Sequence, residues 1–558
     1  MEQSERQAEI VRQTIAEFSQ MHTMRTTFAG QWEEVAQLVL PTSSNTFFYG
    51  NYDFPGSKKT QRQVDATAML ALDRFSAILD SLLTPRNMAW HQLAADNEDV
   101  MKDRASRLWF EQATRILFKL RYAPIANFSS QNFQNYQSLG AFGTGGIFVD
   151  QAYSPTGEPV RALRYKNIPL GELFLKENHQ GMVDGFIRWF RLTPRQTIQK
   201  WGKDNVPEQI LAAADKNSET KLDFLHHVCS RADYDPEYLD ERGKPFASYY
   251  VSIAGQYLLQ EGGYNTFPLA ASRYIQTPGE VYGRSPAMSV LPAIKTLNAE
   301  KTTFLKQGHR AADPVILTAD DGLVDAVNLR PGAINKGGVN PDGKLLVNVL
   351  PAGNIQITKE MMDEERALIN DAFLVTLFQI MTESPQMTAT EVIERTNEKG
   401  ILLAPTVGRQ QSEYLGPMID RELDLASRLG LLPPMPQVLR EAQGEYSVVY
   451  TSPLSRAQRA QEVGGFMRTL DTTLSVVNAT QDPSILDRFD FDTAISDIAQ
   501  IQAVPESWLA DDRTVAEKRQ RRAEAQQQQM EIQAAPAAAS MMKAQAMVAK
   551  GNPGQGAQ

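Results

Sequence analysis

The chain of 558 residues contains one cysteine, Cys229, so it can build neither an intramolecular disulfide framework nor a cysteine-rich zinc site. It also lacks any excess of positive charge: 56 Lys and Arg against 66 Asp and Glu leave a net charge of −10. That balance argues against a protein that grips nucleic acid by neutralising its phosphates, though not against one past which nucleic acid slides. Apolar runs stay short, so no segment reads as a membrane span. The polar stretch Glu2–Gln13 has none of the features of a secretory leader. Neither GxSxG nor HExxH occurs. These absences point to a protein without cofactor or catalysis, made in a reducing cytoplasm.

Four stretches have the outline of a chemical motif, and each fails on its neighbours. Gly338–Leu345 nearly spells a phosphate loop, but Leu345 stands where Ser or Thr must reach magnesium, and a strand follows where a helix is needed. A hairpin turn at Pro341-Asp342-Gly343 fits better. Gly140-Ala-Phe-Gly143-Thr-Gly145-Gly146 runs from helix to strand, the reverse of a dinucleotide fingerprint, and reads as tight turning and close packing. On a strand, His226 and His227 face opposite sides, leaving at most His227 and Cys229 to converge, too few for a metal. Asp487, Asp490 and Asp492 resemble a nuclease cluster, but Asp492 reads as a helix cap and the others as a solvated connector.

What the chain does have is a long helix–insert–helix stretch from Ser285 to Glu383. Ser285-Pro286 is a helix start, and Pro292 forces a kink or restart a turn and a half later. The first helix then reaches Arg310 with a narrow apolar stripe of Val290, Ile294, Leu297, Phe304 and Leu305. The second, Lys359–Met381, opens on acids and carries Ile369, Phe373, Leu374, Leu377, Phe378 and Met381. Each is roughly 30–35 Å long at ~1.5 Å per residue. Ala311–Gly353 between them alternates turn residues with short Val/Leu/Ile runs, a small β unit. So thin a pair cannot bury enough surface alone, whereas copies packed around an axis can.

The rest of the chain frames that stretch. Residues 1–40 read as helix with a second run at Trp32–Leu40, followed by helices at Asp65–Leu83, Ala105–Tyr122 and Phe128–Leu139. From Gly145 the period becomes two, with strands at Ile147–Gln151, Val160–Tyr165, Glu172–Leu175, Gly185–Arg191, Phe224–Ser230, Ser248–Ile253 and Ala270–Tyr274. A capping box at Thr388–Glu391 starts a helix that Gly400, Pro405, Gly408 and Gly416-Pro417 kink repeatedly. Glu445–Thr451 is a strand returning to the β region, and a helical block follows from Ser452-Pro453 to about Trp508. Glu517–Gln533 can be helical, and Ala534–Gln558 is of low complexity. The expected class is α+β.

Gly279-Glu280-Val281-Tyr282-Gly283-Arg284-Ser285-Pro286, then Leu291–Asn298, resembles the segment entering the stem of portal proteins, the head-to-tail connectors of short-tailed double-stranded DNA phages. Met387-Thr388-Ala389-Thr390-Glu391-Val392 resembles the element after the second stem helix, with weaker matches at Leu83–Leu93 and Phe489–Asp492. The resemblance spans nearly the whole chain. It implies a wing at 1–285 (α-rich to 144, mostly β over 145–277), stem helices at 286–310 and 356–383, and a clip at 311–355. It further implies a tunnel loop and a helix returning to the wing at 384–452, a crown at 453–510, and a tail at 511–558. Twelve subunits would form a ring at one capsid vertex. A terminase would pump DNA in through the ring, and a tail adaptor, the major capsid protein and scaffolding protein would contact it, with no membrane involved. The residues implied in the DNA channel are Glu383, Ser384, Pro385, Gln386 and Met387 of the tunnel loop, and Lys295, Lys301, Lys306 and Arg310 of the stem. Asn335, Lys336, Asn340, Asp342 and Lys344 are implied in docking at the clip. Another virion structural protein, such as a tail adaptor or internal core protein, is the second reading, and a nucleotide-binding enzyme the third.

Overall fold

Helix α1 (Glu2–Val39) runs unbroken through Gly30, whose missing side chain faces open space, so the two expected N-terminal helices are one. In the computed structural model the described residues are 2–48, 56–216, 219–318, 328, 330–334, 339–350, 355–376, 404–442, 444–451, 453–501, 504, 508–510 and 512–550. After α1 come α2 (Thr67–Leu83), β1 (His91–Ala94), α3 (Glu98–Lys102), α4 (Arg104–Arg121), α5 (Phe128–Phe142), β2 (Thr144–Tyr153) and β3 (Pro159–Asn167). Then follow β4 (Leu173–Glu177), β5 (Val183–Leu192), α6 (Pro194–Trp201), α7 (Glu208–Asp215), β6 (Leu222–Ser230), β7 (Phe246–Ser252), β8 (Tyr257–Tyr264) and β9 (Leu269–Arg273). The chain is therefore α+β. Its compact units are residues 1–92, 114–433 and 450–466 in the first, and 93–113, 434–449 and 467–558 in the second.

In the first unit β2 to β9 form two sheets, ordered β3-β2-β9 and β4-β5-β6-β7-β8, with antiparallel pairing throughout. Both faces of the five-stranded sheet are covered. Side chains alternate across a strand, so Trp189, Leu225 and Leu258 meet Val11 and Phe18 of α1, while Phe190, Phe224 and Leu259 meet Trp201 and Ile210 of α6 and α7. All seven expected strands are present, but β8 was not foreseen, because Gly262-Gly263 breaks its apolar pattern.

Further along α1, Arg25 is buried with no carboxylate at ion-pair distance among the described residues. Its guanidinium donates to the carbonyl oxygens of Leu170 (2.9 Å), Leu173 (2.8 Å), Gly171 (3.1 Å) and Phe47 (3.4 Å) and lies 3.7 Å from the Phe174 ring centre. Burial lowers its pKa to about 10, against an opposing pull from Tyr282.

The three histidines His91, His226 and His227 are buried, and burial holds each below the usual histidine range, His227 at about 4 although Glu17 pulls it upward. His226 stacks on Tyr250 at 4.0 Å, while His227 faces Thr14 (3.2 Å) and Glu17 on the other side of the sheet. Among the described residues no three His, Cys, Asp or Glu side chains could hold a metal ion. Because the folded pKa values are depressed, the histidines' contribution is complete above the ordinary value of 6.5 and is lost as pH falls below it. Equilibrium unfolding between pH 7 and 5 should lose about 1.4 kcal/mol per histidine per pH unit below 6.5. A flat profile would contradict three buried neutral imidazoles.

The stretch Gly416–Arg428 (α11 below) is entered from helical residues 404–409 through a π turn, Gln410–Leu415. The backbone stays helical from 404 to 428 past Pro405, Gly408 and Gly416-Pro417, with the π turn as its one departure from α geometry, and Gly400 lies outside the described residues. Pro417 offers no N–H, and the wider turn absorbs the defect, with Gly416 N donating to Gln411 O. The strand Ser447–Tyr450 pairs with β1 and not with the β region. The helical block after it starts its last helix, Phe491–Ile501, with Asp490 as the cap. Asp490 accepts from Asp492 N (3.1 Å) and Thr493 N (3.2 Å), whereas Asp492 pairs with Arg519 at 2.6 Å. The helix begins two residues earlier than a cap at Asp492 implies, which moves the capping role from Asp492 to Asp490.

A fully buried ion pair joins α4 to α11. Arg121 Nε donates to Glu422 Oε1 at 3.0 Å, Tyr165 OH donates to the same oxygen at 2.7 Å, and Arg121 Nη2 bonds Glu422 Oε2 and reaches His91 Nε2 at 2.9 Å. Arg121 also lies 4.5 Å from the Trp90 ring centre and 4.8 Å from that of Phe118. Burial works against its charge, but Glu422 outweighs it and raises the guanidinium pKa.

Candidate functional site

The helical pair grows out of the first unit through a glycine-to-glycine contact. α5 ends at Gly143 with φ +76°, and a Cβ there would lie 2.3 Å from Gly283 O; one on Gly283 would lie 2.3 Å from Gly143 O. Glycine at both positions lets the two backbones touch, and Tyr274 N donates to Gly143 O at 3.0 Å. Around this contact Tyr282 packs edge-on to Trp32 at 5.0 Å, and Arg284 Nε bonds Glu280 at 2.8 Å. Ser285 accepts from Met288 N (2.9 Å) and donates to Ala141 O (2.8 Å). It thus caps α8 (Pro286–Ser289), and α9 (Leu291–Ala312) restarts with proline in its first turn, as Pro292 implies.

Beyond the base come β10 (Ile316–Thr318), β11 (Val347–Val349) and α10 (Ile355–Ala372), with β10 and β11 antiparallel. Thr358 donates to Gln307 at 3.0 Å, and Glu300 lies beside Glu364 and Glu365, so α9 and α10 run antiparallel. Burial first, then those two acids, raises the Glu300 pKa. Both helices hold the start of α2. Asn298 accepts from Val64 N (2.8 Å) and Asp65 N (3.1 Å), and Arg366 reaches Asp65 at 2.7 Å. No sequence signal singled out Asn298, Asp65 or Arg366, because their partners lie more than 200 residues away.

Ile294, Leu297, Ile369 and Phe373 are buried as expected, but Leu305 is exposed. α10 stops at Ala372 and Leu374 takes φ +60°, so the helix does not run unbroken to Met381. Leu377, Phe378 and Met381, and the loop Glu383, Ser384, Pro385, Gln386 and Met387, lie outside the described residues.

The four stem cations do not share a face. At about 100° per residue, Lys306 and Arg310 fall within about 60° of Lys295, while Lys301 lies about 120° round the other way. Lys295 pairs with Glu34 of α1 at 2.6 Å, and Lys301 sits 5.6 Å from the Phe304 ring centre. Lys306 and Arg310 are exposed.

In the insert, Gly343 N donates to Asn340 O (3.0 Å) and Asn340 Oδ1 accepts from Lys344 N (2.8 Å), closing the hairpin turn that excluded a phosphate loop. Asn340 and Lys344 thus hold the turn, Asp342 is exposed, and Asn335 and Lys336 lie outside the described residues. Around the turn Ile334, Val339, Leu345 and Val349 are exposed. A second apolar row, Ile357, Met361 and Leu368, runs along α10 with 54, 49 and 53% exposure. Its spacing puts it on one face, about 120° from buried Met362 and Ile369.

Among the described residues this geometry offers contact surfaces and a tightly anchored base. The profile of a family described as "Bacteriophage head to tail connecting protein" matches residues 12–509. The portal protein of Salmonella phage epsilon15 is 27% identical over 523 residues, covering 91% of this chain and 90% of its own. The probable portal protein of Bordetella phage BPP-1 is 26% identical over 519 residues, covering 91% and 90%. A chain from the virion of a native gene transfer agent particle overlaps loosely, with a TM-score of 0.32 and 10% identity over 73% of this chain and 85% of that one, and adds nothing to the assignment. The chain belongs to the bacteriophage head-to-tail connecting protein family, and its function is that of a portal connector.

Proposed function

We propose that this chain works as a closed ring of twelve subunits at one capsid vertex. Its helical pairs stand side by side around a channel for double-stranded DNA. The observation that carries the reading is the run of exposed apolar side chains, Ile357, Met361 and Leu368 on α10 and Ile334, Val339 and Leu345 on the insert, in a chain of net charge −10. An acidic protein that leaves such rows in water is built to cover them with further protein. A neighbouring helical pair is the partner of matching shape, and the insert is the surface for terminase and then a tail adaptor. The ring acts by geometry and catalyses nothing. Its subunits assemble in the host cytoplasm with capsid and scaffolding proteins.

The segment Glu383–Met387 is assigned to the channel loop by its place after the second helix, and Lys306 and Arg310, on one exposed arc, to the channel wall. Replacing Met361 and Leu368 by Glu should leave the subunit folded, since both side chains are solvent-facing, but should abolish rings at micromolar concentration. Light scattering that found wild-type mass for this variant would remove the stripe from the interface.

A further inference from the structure

The C-terminal helix Asp512–Lys550 (39 residues, about 60 Å at 1.5 Å per residue) differs in charge from the rest of the chain. From Asp512 to the end there are seven Lys and Arg against four Asp and Glu, a net +3, which leaves −13 on the preceding residues. Four of the cations fall within five positions, Lys518, Arg519, Arg521 and Arg522. At about 100° per residue they cover one broad face of the helix. Arg519 is held by Asp492, with bonds of 2.8 and 2.6 Å. Lys518, Arg521 and Arg522 are exposed, and among the described residues none of them lies within ion-pair distance of a carboxylate.

This arrangement is unfavourable on its own. Lys518 with Arg522 is a like-charge pair four positions apart, and Lys518 with Arg521 and Arg519 with Arg522 are like-charge pairs at three. A chain with 66 acids nevertheless leaves them unneutralised. We propose that Lys518, Arg521 and Arg522 form a phosphate-binding face for double-stranded DNA, so that the helix from Asp512 is a DNA-holding arm on an otherwise acidic connector. A polyanion with regularly spaced charges relieves the repulsion and gains counterion release. Arg519, tied to Asp492, fixes the orientation of the face. The choice of duplex DNA rests on the connector reading; the charge argument requires only a phosphate backbone.

The test uses the full chain and a fluorescent 30-base-pair duplex, with anisotropy measured from about 50 to 200 mM NaCl, where phosphate contacts are most sensitive to salt. Lys518→Gln with Arg521→Gln and Arg522→Gln should weaken binding at least tenfold at the low-salt end and flatten the salt dependence. Lys203→Gln with Lys216→Gln, exposed cations outside both the arm and the stem, should leave both unchanged. Wild-type affinity and slope in the arm variant, or no binding by the wild type, would overturn the arm. Light scattering on the same samples keeps the two readings apart: rings with unaltered DNA affinity refute the arm alone, and loss of rings in the wild type refutes the connector reading.

Discussion

Glu422→Gln should destabilise the first unit by about 3–5 kcal/mol, the usual cost of removing one member of a buried ion pair. The substitution keeps the shape and one acceptor for Tyr165, but leaves the Arg121 guanidinium charged and buried, with a neutral amide where two carboxylate oxygens stood. Cation–π contact with Trp90 and Phe118 offsets only part of this, on the order of 2 kcal/mol. Arg121→Met should also be costly, since it strands Glu422. The double variant should cost less than the sum of the two, because neither orphaned charge remains. Denaturant titration of all four proteins measures this. A Glu422→Gln variant within 1 kcal/mol of wild type would show that the pair is not a closed, desolvated unit.

Gly143→Ala should have an effect of similar size by a different route. The left-handed conformation alone costs a residue with a Cβ about 1–2 kcal/mol. The added carbon would also sit 2.3 Å from Gly283 O and 2.6 Å from Arg284 C, so the backbone entering α8 must move. Because that backbone carries the helical pair, ring formation should fail before the subunit unfolds. Gly308→Ala in α9 is the control, as nothing lies within 4 Å of its Cβ position and the helix interior should gain about 0.5–1 kcal/mol. Thermal unfolding and ring yield measured together separate the two effects. Wild-type ring yield for Gly143→Ala would mean that the glycine contact does not set the base of the pair.

What the sequence revealed and what it hid divide along the range of the interactions. Ser285-Pro286 and Pro292 act through their own backbone, and the helix start and restart appear where those residues require them. Pro341-Asp342-Gly343 likewise turns the insert. Arg121 and Glu422 are 301 positions apart, and nothing local distinguishes them from surface charges. The same holds for Asn298 with Val64 and for Arg366 with Asp65. The cap on Phe491–Ile501 lies two residues before Asp492, because Asp490 and Asp492 are equally good acceptors in sequence terms. The stem cations were grouped by charge, although the 3.6-residue turn already separates Lys301 from the others. The exposed row Ile357, Met361 and Leu368 has helical spacing, but so has the apolar stripe centred on Ile369, and spacing alone does not say which of two rows on one helix is buried.

The central claim is that these subunits close into a ring through the helical pairs. Negative-stain imaging of the purified full-length protein tests it most directly. Class averages should show closed rings of one dominant symmetry with a central opening wide enough for a DNA duplex. A field of monomers, or of open filaments, at micromolar concentration and across salt conditions would contradict it.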